Sequence, residues 1–199
     1  MDIILPEARE RMKAGGADVT PGSERVRFDR GLIEELIATV PSSFTMHARN
    51  PARNVRIGGT HLVFAQVASA PFVADRDSGR RAGNQDDFRK LIKLAQHYDI
   101  IHTTGGYPVE PIDIHASVRH LDCLSDLVKL TDKVFHCYSL GRQRNLDALE
   151  IARIGRGITA EEMESEPSLF TVINSSSPLR LDGPMLQGII EMSSRGQVV

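Results

Sequence analysis

The chain has 199 residues, 41% hydrophobic and 25% charged, with a formal net charge of -2; this is the composition of an ordinary soluble globular chain and excludes intrinsic disorder. Its 24 Lys and Arg residues are interspersed among 26 Asp and Glu residues, so there is no basic field for a nucleic-acid backbone. No stretch approaches the roughly 20 apolar residues of a membrane span, and the acidic start Met1-Asp2-Ile3-Ile4-Leu5-Pro6-Glu7 lacks the charge and length of a secretory signal. Cys123 and Cys137 have no C-x-x-C spacing, which indicates neither a disulfide framework nor a zinc knuckle, and a reducing cytoplasm fits best.

Pro6 to Lys13 is helix-forming and stops at Gly15-Gly16. Ala17 to Thr20 and Arg25 to Phe28 flank Pro21-Gly22-Ser23 and predict a small hairpin. Asp29 then caps an amphipathic helix carrying Leu32, Ile33, Leu36, Ile37 and Val40, closed by Pro41. Short alternating runs at Phe44 to Ala48, Val55 to Ile57 and Leu62 to Ala65 read as strands. Pro71 to Arg81 reads as an ordered loop or another hairpin.

After residue 83 the rhythm changes. Asn84 caps a helix with Phe88, Leu91, Ile92 and Ala95 on one face, and Asp99 to Thr104 reads as a strand. Asp113 starts a helix with Ile114, Val118, Leu121, Leu124 or Ser125, and Val128 inward, followed by a strand from Val134 to Ser139. A helix over Arg142 to Arg156 ends at Gly157, Thr159 to Glu162 is a capping-box pattern, Leu169 to Asn174 is a strand, and a last helix begins at Asp182 or Pro184.

Strand-helix units thus return at intervals of roughly 30 to 35 residues, as βα units of a parallel sheet do. The expected fold is α/β: a partial (β/α)8 barrel, about its first half, over residues 84–199, preceded by a small α+β region over residues 1–83 that leads into it. No dinucleotide or P-loop glycine pattern follows any strand, which favours a barrel over a nucleotide-binding sheet. About four units are countable where a barrel needs eight, and Gly196-Gln197-Val198-Val199 resembles the start of another strand, so the chain looks C-terminally truncated.

In a barrel, strand ends converge on one face and carry the chemistry. Those ends supply Tyr107 and Glu110, then Tyr138 and Arg142, then Asn174 and Ser177. The stretch His102 to Pro111 is the centre of interest: Gly105-Gly106 permits unusual backbone, and Pro108 and Pro111 hold their neighbours extended. An aromatic face beside a carboxylate suits a weakly hydrated ammonium. Tyr107 packing under the loop, and Glu110 capping a helix or pairing with Arg119, are the structural alternatives. Parity puts Phe135 and Cys137 under helices and His136 and Tyr138 on the opposite face. His102 and His136 could serve a metal only with a third ligand, and none stands at matching spacing; no metal site is expected.

At these residues the chain resembles the trimethylamine methyltransferase family, the corrinoid-dependent amine methyltransferases. The matching stretches are Pro41 to Thr45, His47 to Pro51, Asn54 to Gly59, Thr104 to Pro111, Leu130 to Lys133 and Ser177 to Met185, which together span nearly the whole chain. The resemblance implies a (β/α)8 barrel that moves a methyl group from a methylated amine, trimethylamine or a quaternary amine such as glycine betaine, to cobalt. That cobalt belongs to a corrinoid carried by a separate partner protein, so no cofactor is bound directly. In the family, pyrrolysine, which activates trimethylamine, lies in the part of the barrel beyond this chain. No catalytic residue is assigned; Tyr107, Glu110, Tyr138, Asn174 and Ser177 are the expected substrate-binding residues. The alternatives are a non-catalytic half-barrel that only associates with other chains or with itself as a homo-oligomer, and a metal-dependent barrel enzyme.

Overall fold

In the computed structural model, which describes residues 1–199, the chain begins with β1 (Asp2–Ile3), α1 (Pro6–Ala14), β2 (Asp18–Val19), β3 (Val26–Arg27) and α2 (Arg30–Ala38). Pro6 suits the first turn of α1, where its missing N–H leaves no bond unmade. Gly16, at φ +97°, turns the chain into the antiparallel β2-β3 hairpin. Asp29 caps α2 by accepting from the Gly31 N–H. No residue of α2 is fully buried, however: Leu32 packs against the N-terminal cluster, while Ile33, Leu36 and Ile37 are open to solvent.

Two hairpins follow. β4 (Ser43–Met46) pairs with β5 (Val55–Gly58), and β6 (Phe72–Asp75) with β7 (Gly79–Ala82). The first is tight at Gly58, where a Cβ would fall 2.2 Å from the Ser42 carbonyl oxygen.

The remaining elements are α3 (Gln85–His97), α4 (Arg119–Leu130), β8 (Phe135–His136), α5 (Arg142–Arg156), α6 (Ala160–Ser165), β9 (Leu169–Phe170), β10 (Arg180–Leu181) and α7 (Gly183–Ser193). Thr159 forms the capping box expected of it, Asn84 caps α3 as expected and does so with a complete capping box of its own, and Gly157 ends α5 in the left-handed conformation. Ala65 pairs in parallel with Thr103, Thr103 with Val134, β8 with β9, and Phe170 with Val198. Spatial order therefore follows chain order across five parallel segments, with helices in the connections.

The two faces of this array differ as the strand parity requires. Phe135, Cys137 and Leu169 join Leu124, Leu127, Ala148 and Ala152 in the main core beneath α4 and α5. On the other face Val134 and Phe170 meet Met46 and Val55 of the first hairpin. There they line an apolar hollow of about 280 Å³ shared with Ala65 and Val198. A third cluster joins Ile3, Ala8, Ala17 and Val26 to Leu186 and Ile190 of α7, fixing the N-terminal elements to that helix.

The strands are shorter than the sequence predicts. Asp99 to Thr104 contributes only a bridge at Thr103, and the strand predicted to run to Asn174 ends at Phe170, with the Thr171 N–H still donating to Val198 O at 3.0 Å. α4 starts at Arg119 and not at Asp113, because the Asp113 carboxylate accepts from the Gln85 N–H and the Arg119 guanidinium binds the Ile114 carbonyl. Its buried stripe is accordingly Cys123, Leu124 and Leu127, while Val118 and Leu121 are exposed. β10 was not anticipated; it pairs in parallel with β1.

At the entry to β8 two family stretches meet. Asn50 donates to Asp132 at 2.9 Å, and Gln96 donates to the other Asp132 oxygen at 2.9 Å. Burial raises the Asp132 pKa, but these donors outweigh it and hold the carboxyl below its ordinary value. The buried Lys133 ammonium donates to the carbonyls of Ala95, Tyr98 and Ile101 at 2.6 to 2.9 Å. A cation there complements the carbonyls left without helical partners at the end of α3. No helix is long and apolar enough to cross a membrane.

Candidate functional site

The C-terminal ends of the parallel segments bring together the runs 66–71, 104–112, 138–142 and 171–179. The first two are knitted by backbone bonds from Ser69 N–H to Tyr107 O and from Glu110 N–H to Ala70 O, both 2.8 Å. Gly105 is needed for this approach, since a Cβ would lie 2.1 Å from the Gln66 carbonyl oxygen.

Tyr107 is 7% exposed, with its ring edge-on to Phe88 and to Tyr138 at centroid separations of 5.6 and 4.7 Å. Burial raises its phenol pKa and pushes the neighbouring Cys123 thiol up to about 12. The Tyr107 ring thus takes the packing position under the loop. Glu110 accepts from the Arg119 guanidinium at 2.5 Å, the pairing expected of it as a structural residue.

Tyr138 is half-buried, and its hydroxyl joins the two adjacent loops. It accepts from the Tyr107 N–H at 3.0 Å and bonds the Ser69 hydroxyl at 2.9 Å. Ser69 has no sequence signal of its own; only its place just after the first parallel segment could have flagged it. From Tyr138 the aromatic contacts continue to His136, 4.9 Å away, and from His136 to Phe170 at 5.1 Å. Four rings, Tyr107, Tyr138, His136 and Phe170, therefore form a continuous edge-to-face file across three neighbouring segments.

Within this file His136 is 3% exposed, and burial brings its pKa down to about 4. Its Nε2 accepts from the Val172 N–H at 3.2 Å. Asn174 and Ser177 are exposed on the segment that follows β9. They share the strand-end side with Tyr138 but are not engaged with it by hydrogen bonds. Arg142 pairs with Glu7 and Glu191 at 2.6 and 2.8 Å, tying the loop after β8 to α1 and α7. No group of three His, Cys, Asp or Glu side chains stands close enough to hold a metal ion, and His102 instead accepts from the Phe64 N–H at 3.0 Å.

Residues 1–199 fit the family model described as trimethylamine methyltransferase (MTTB), and the chain belongs to that family. It is similar to the glycine betaine methyltransferase of Desulfitobacterium hafniense (strain Y51), with 38% identity over 176 residues covering 88% of this chain and 36% of that relative. It is also similar to the trimethylamine methyltransferase MttB of Desulfitobacterium hafniense (strain DSM 10664 / DCB-2), with 26% identity over 198 residues covering 98% of this chain and 39% of the relative. The chain thus spans less than two fifths of the length of these curated relatives.

Proposed function

We propose that this chain forms part of an enzyme that takes a methyl group from a methylated amine and delivers it to the cobalt of a corrinoid on a separate protein. The observation that carries this reading is the aromatic file Tyr107-Tyr138-His136-Phe170 at the ends of the parallel segments. A quaternary or protonated methylammonium is weakly hydrated and is attracted to aromatic faces. Tyr138 and Phe170, the half-buried members, are the rings open to such a cation, and Tyr107 and His136 back them. Glu110, already neutralised by Arg119, adds little net charge, while Asn174 and Ser177 supply polar contacts from the next segment. The corrinoid cobalt supplies the nucleophile that accepts the methyl group; this chain's residues bind and orient the amine, which by itself lowers the barrier.

In the same reading the five parallel segments are consecutive members of a (β/α)8 barrel, located in the cytoplasm. The test is to supply the protein, together with the remaining length its relatives have, with a corrinoid protein and either glycine betaine or trimethylamine, and to follow cobalt methylation by absorbance. Methylation with one of these amines is expected; none with any methylated amine refutes the reading. Tyr138→Ala is expected to raise the amine KM more than it lowers kcat.

The apolar hollow of about 280 Å³ lined by Phe44, Ile57, Val63 and Phe170 favours a second reading, a half-barrel that only associates with other chains through that face. Sedimentation of the 199-residue chain separates the two: concentration-dependent oligomers without catalysis in the longer protein favour the second.

A further inference from the structure

We infer that His136 is a positioning residue whose neutral imidazole sets where the Val172–Leu179 segment leaves the sheet, and so fixes the edge of the site that carries Asn174 and Ser177. That this edge contacts substrate rests on the methylated-amine reading above; the positioning itself does not.

β8 and β9 pair in parallel, and the Cys137 N–H donates to Phe170 O at 3.0 Å. A regular parallel ladder would continue with the Val172 N–H donating to Cys137 O. The His136 side chain takes that donor instead, at 3.2 Å, and the strand ends. The imidazole is well fixed for this purpose. It is enclosed between the Tyr138 and Phe170 rings, and its own backbone N–H donates to the Thr104 hydroxyl at 3.2 Å. With its pKa lowered to about 4 it remains an acceptor at neutral pH. The proton of the neutral ring then sits on Nδ1, which is buried without a hydrogen-bond partner, so the arrangement is maintained at some cost.

The far end of the segment is anchored separately. Ser176 and Arg180 exchange backbone bonds of 2.8 and 2.9 Å, and the N–H groups of Asp2 and Ile4 donate to Leu179 O and Leu181 O. Between the anchors Asn174 to Leu179 are exposed, and Leu179 holds φ +59°, a conformation costly for a residue with a side chain. Exposed side chains on a backbone fixed at both ends suit a contact edge.

Amide hydrogen exchange of the full chain tests this with His136→Leu and His136→Gln. Both remove the ring, but the Gln side-chain oxygen can replace Nε2 as acceptor. Expected is exchange of the Val172 amide about tenfold faster or more in His136→Leu, and within about threefold of the parent in His136→Gln. Unchanged exchange in His136→Leu, or equally fast exchange in the two variants, overturns the inference. If His136→Leu does not fold, His136→Asn, whose amide is too short to reach Val172, provides the same contrast with His136→Gln. In the methylation assay the amine KM should rise in His136→Leu and recover in His136→Gln; an unchanged KM with altered exchange removes the substrate contact. Absence of methylation in the parent protein refutes the enzymatic reading alone, and the exchange result still decides the positioning.

Discussion

Gly106 lies directly against the hydroxyl of Tyr138: a Cβ at Gly106 would come within 2.5 Å of that oxygen, and the glycine holds φ +134°. The same hydroxyl accepts from the Tyr107 N–H, so the glycine, the loop and the ring are mutually dependent. Gly106→Ala should therefore add a clash to backbone strain and cost about 2–4 kcal/mol. Gly22→Ala is the control, because Gly22 also has positive φ, +74°, but meets nothing within 4 Å; strain alone predicts about 1–2 kcal/mol. Equal losses on denaturant unfolding would show that the Tyr138 contact contributes nothing.

Lys133 deserves the largest polar effect outside the strand-end face. Its ammonium satisfies three carbonyls where α3 ends, and Lys133→Met would keep the apolar stem while leaving all three without that donor. A loss of about 2–4 kcal/mol is expected, against less than about 0.5 kcal/mol for the exposed Lys129→Met. Urea midpoints of the two variants that coincide would refute this.

What the sequence disclosed was local. Capping residues and glycine stops give the starts of α3, α6 and α7 and both ends of α5, though not the start of α4, because Asn84, Thr159, Asp182 and Gly157 act through their immediate neighbours. Strand parity likewise separated Phe135 and Cys137 from His136 and Tyr138. Contacts between distant residues were not legible: Asp113 bonds Gln85 in place of capping α4, Lys133 reaches back to α3, and β1 pairs with β10. The site showed the same division. Tyr107 and Tyr138 could be singled out from their strand-end positions, but which ring is covered depends on Phe88, Gly106 and Ser69, residues brought in from other segments.

Hydrophobic periodicity also overstated burial in α2. Ile37 is 63% exposed whereas Ile92 of α3 is fully buried, although both lie on apolar stripes. Ile37→Ala should change stability by less than about 0.5 kcal/mol, and Ile92→Ala should cost about 2–5 kcal/mol through lost transfer energy and cavity formation. Comparable losses in thermal unfolding would mean that α2 is covered in solution, by another copy or by further polypeptide.

Asp87 should contribute to acid sensitivity, since its carboxylate receives the two terminal Arg81 guanidinium nitrogens at 2.5 and 2.7 Å. The Arg81 hydrogen bonds hold its pKa below the ordinary 3.8 in the folded protein. Between that lowered value and 3.8 the unfolded chain binds more protons than the folded one, so stability falls as pH falls through this window and is fully present above it. Arg81→Gln removes the charge that lowers the pKa. The variant should be less stable than the parent at pH 7, and its loss of stability on acidification from about pH 5 to pH 3 should be shallower. Melting temperatures measured across that range check both parts; parallel pH profiles for parent and variant would show that the Arg81-Asp87 pair does not govern acid unfolding.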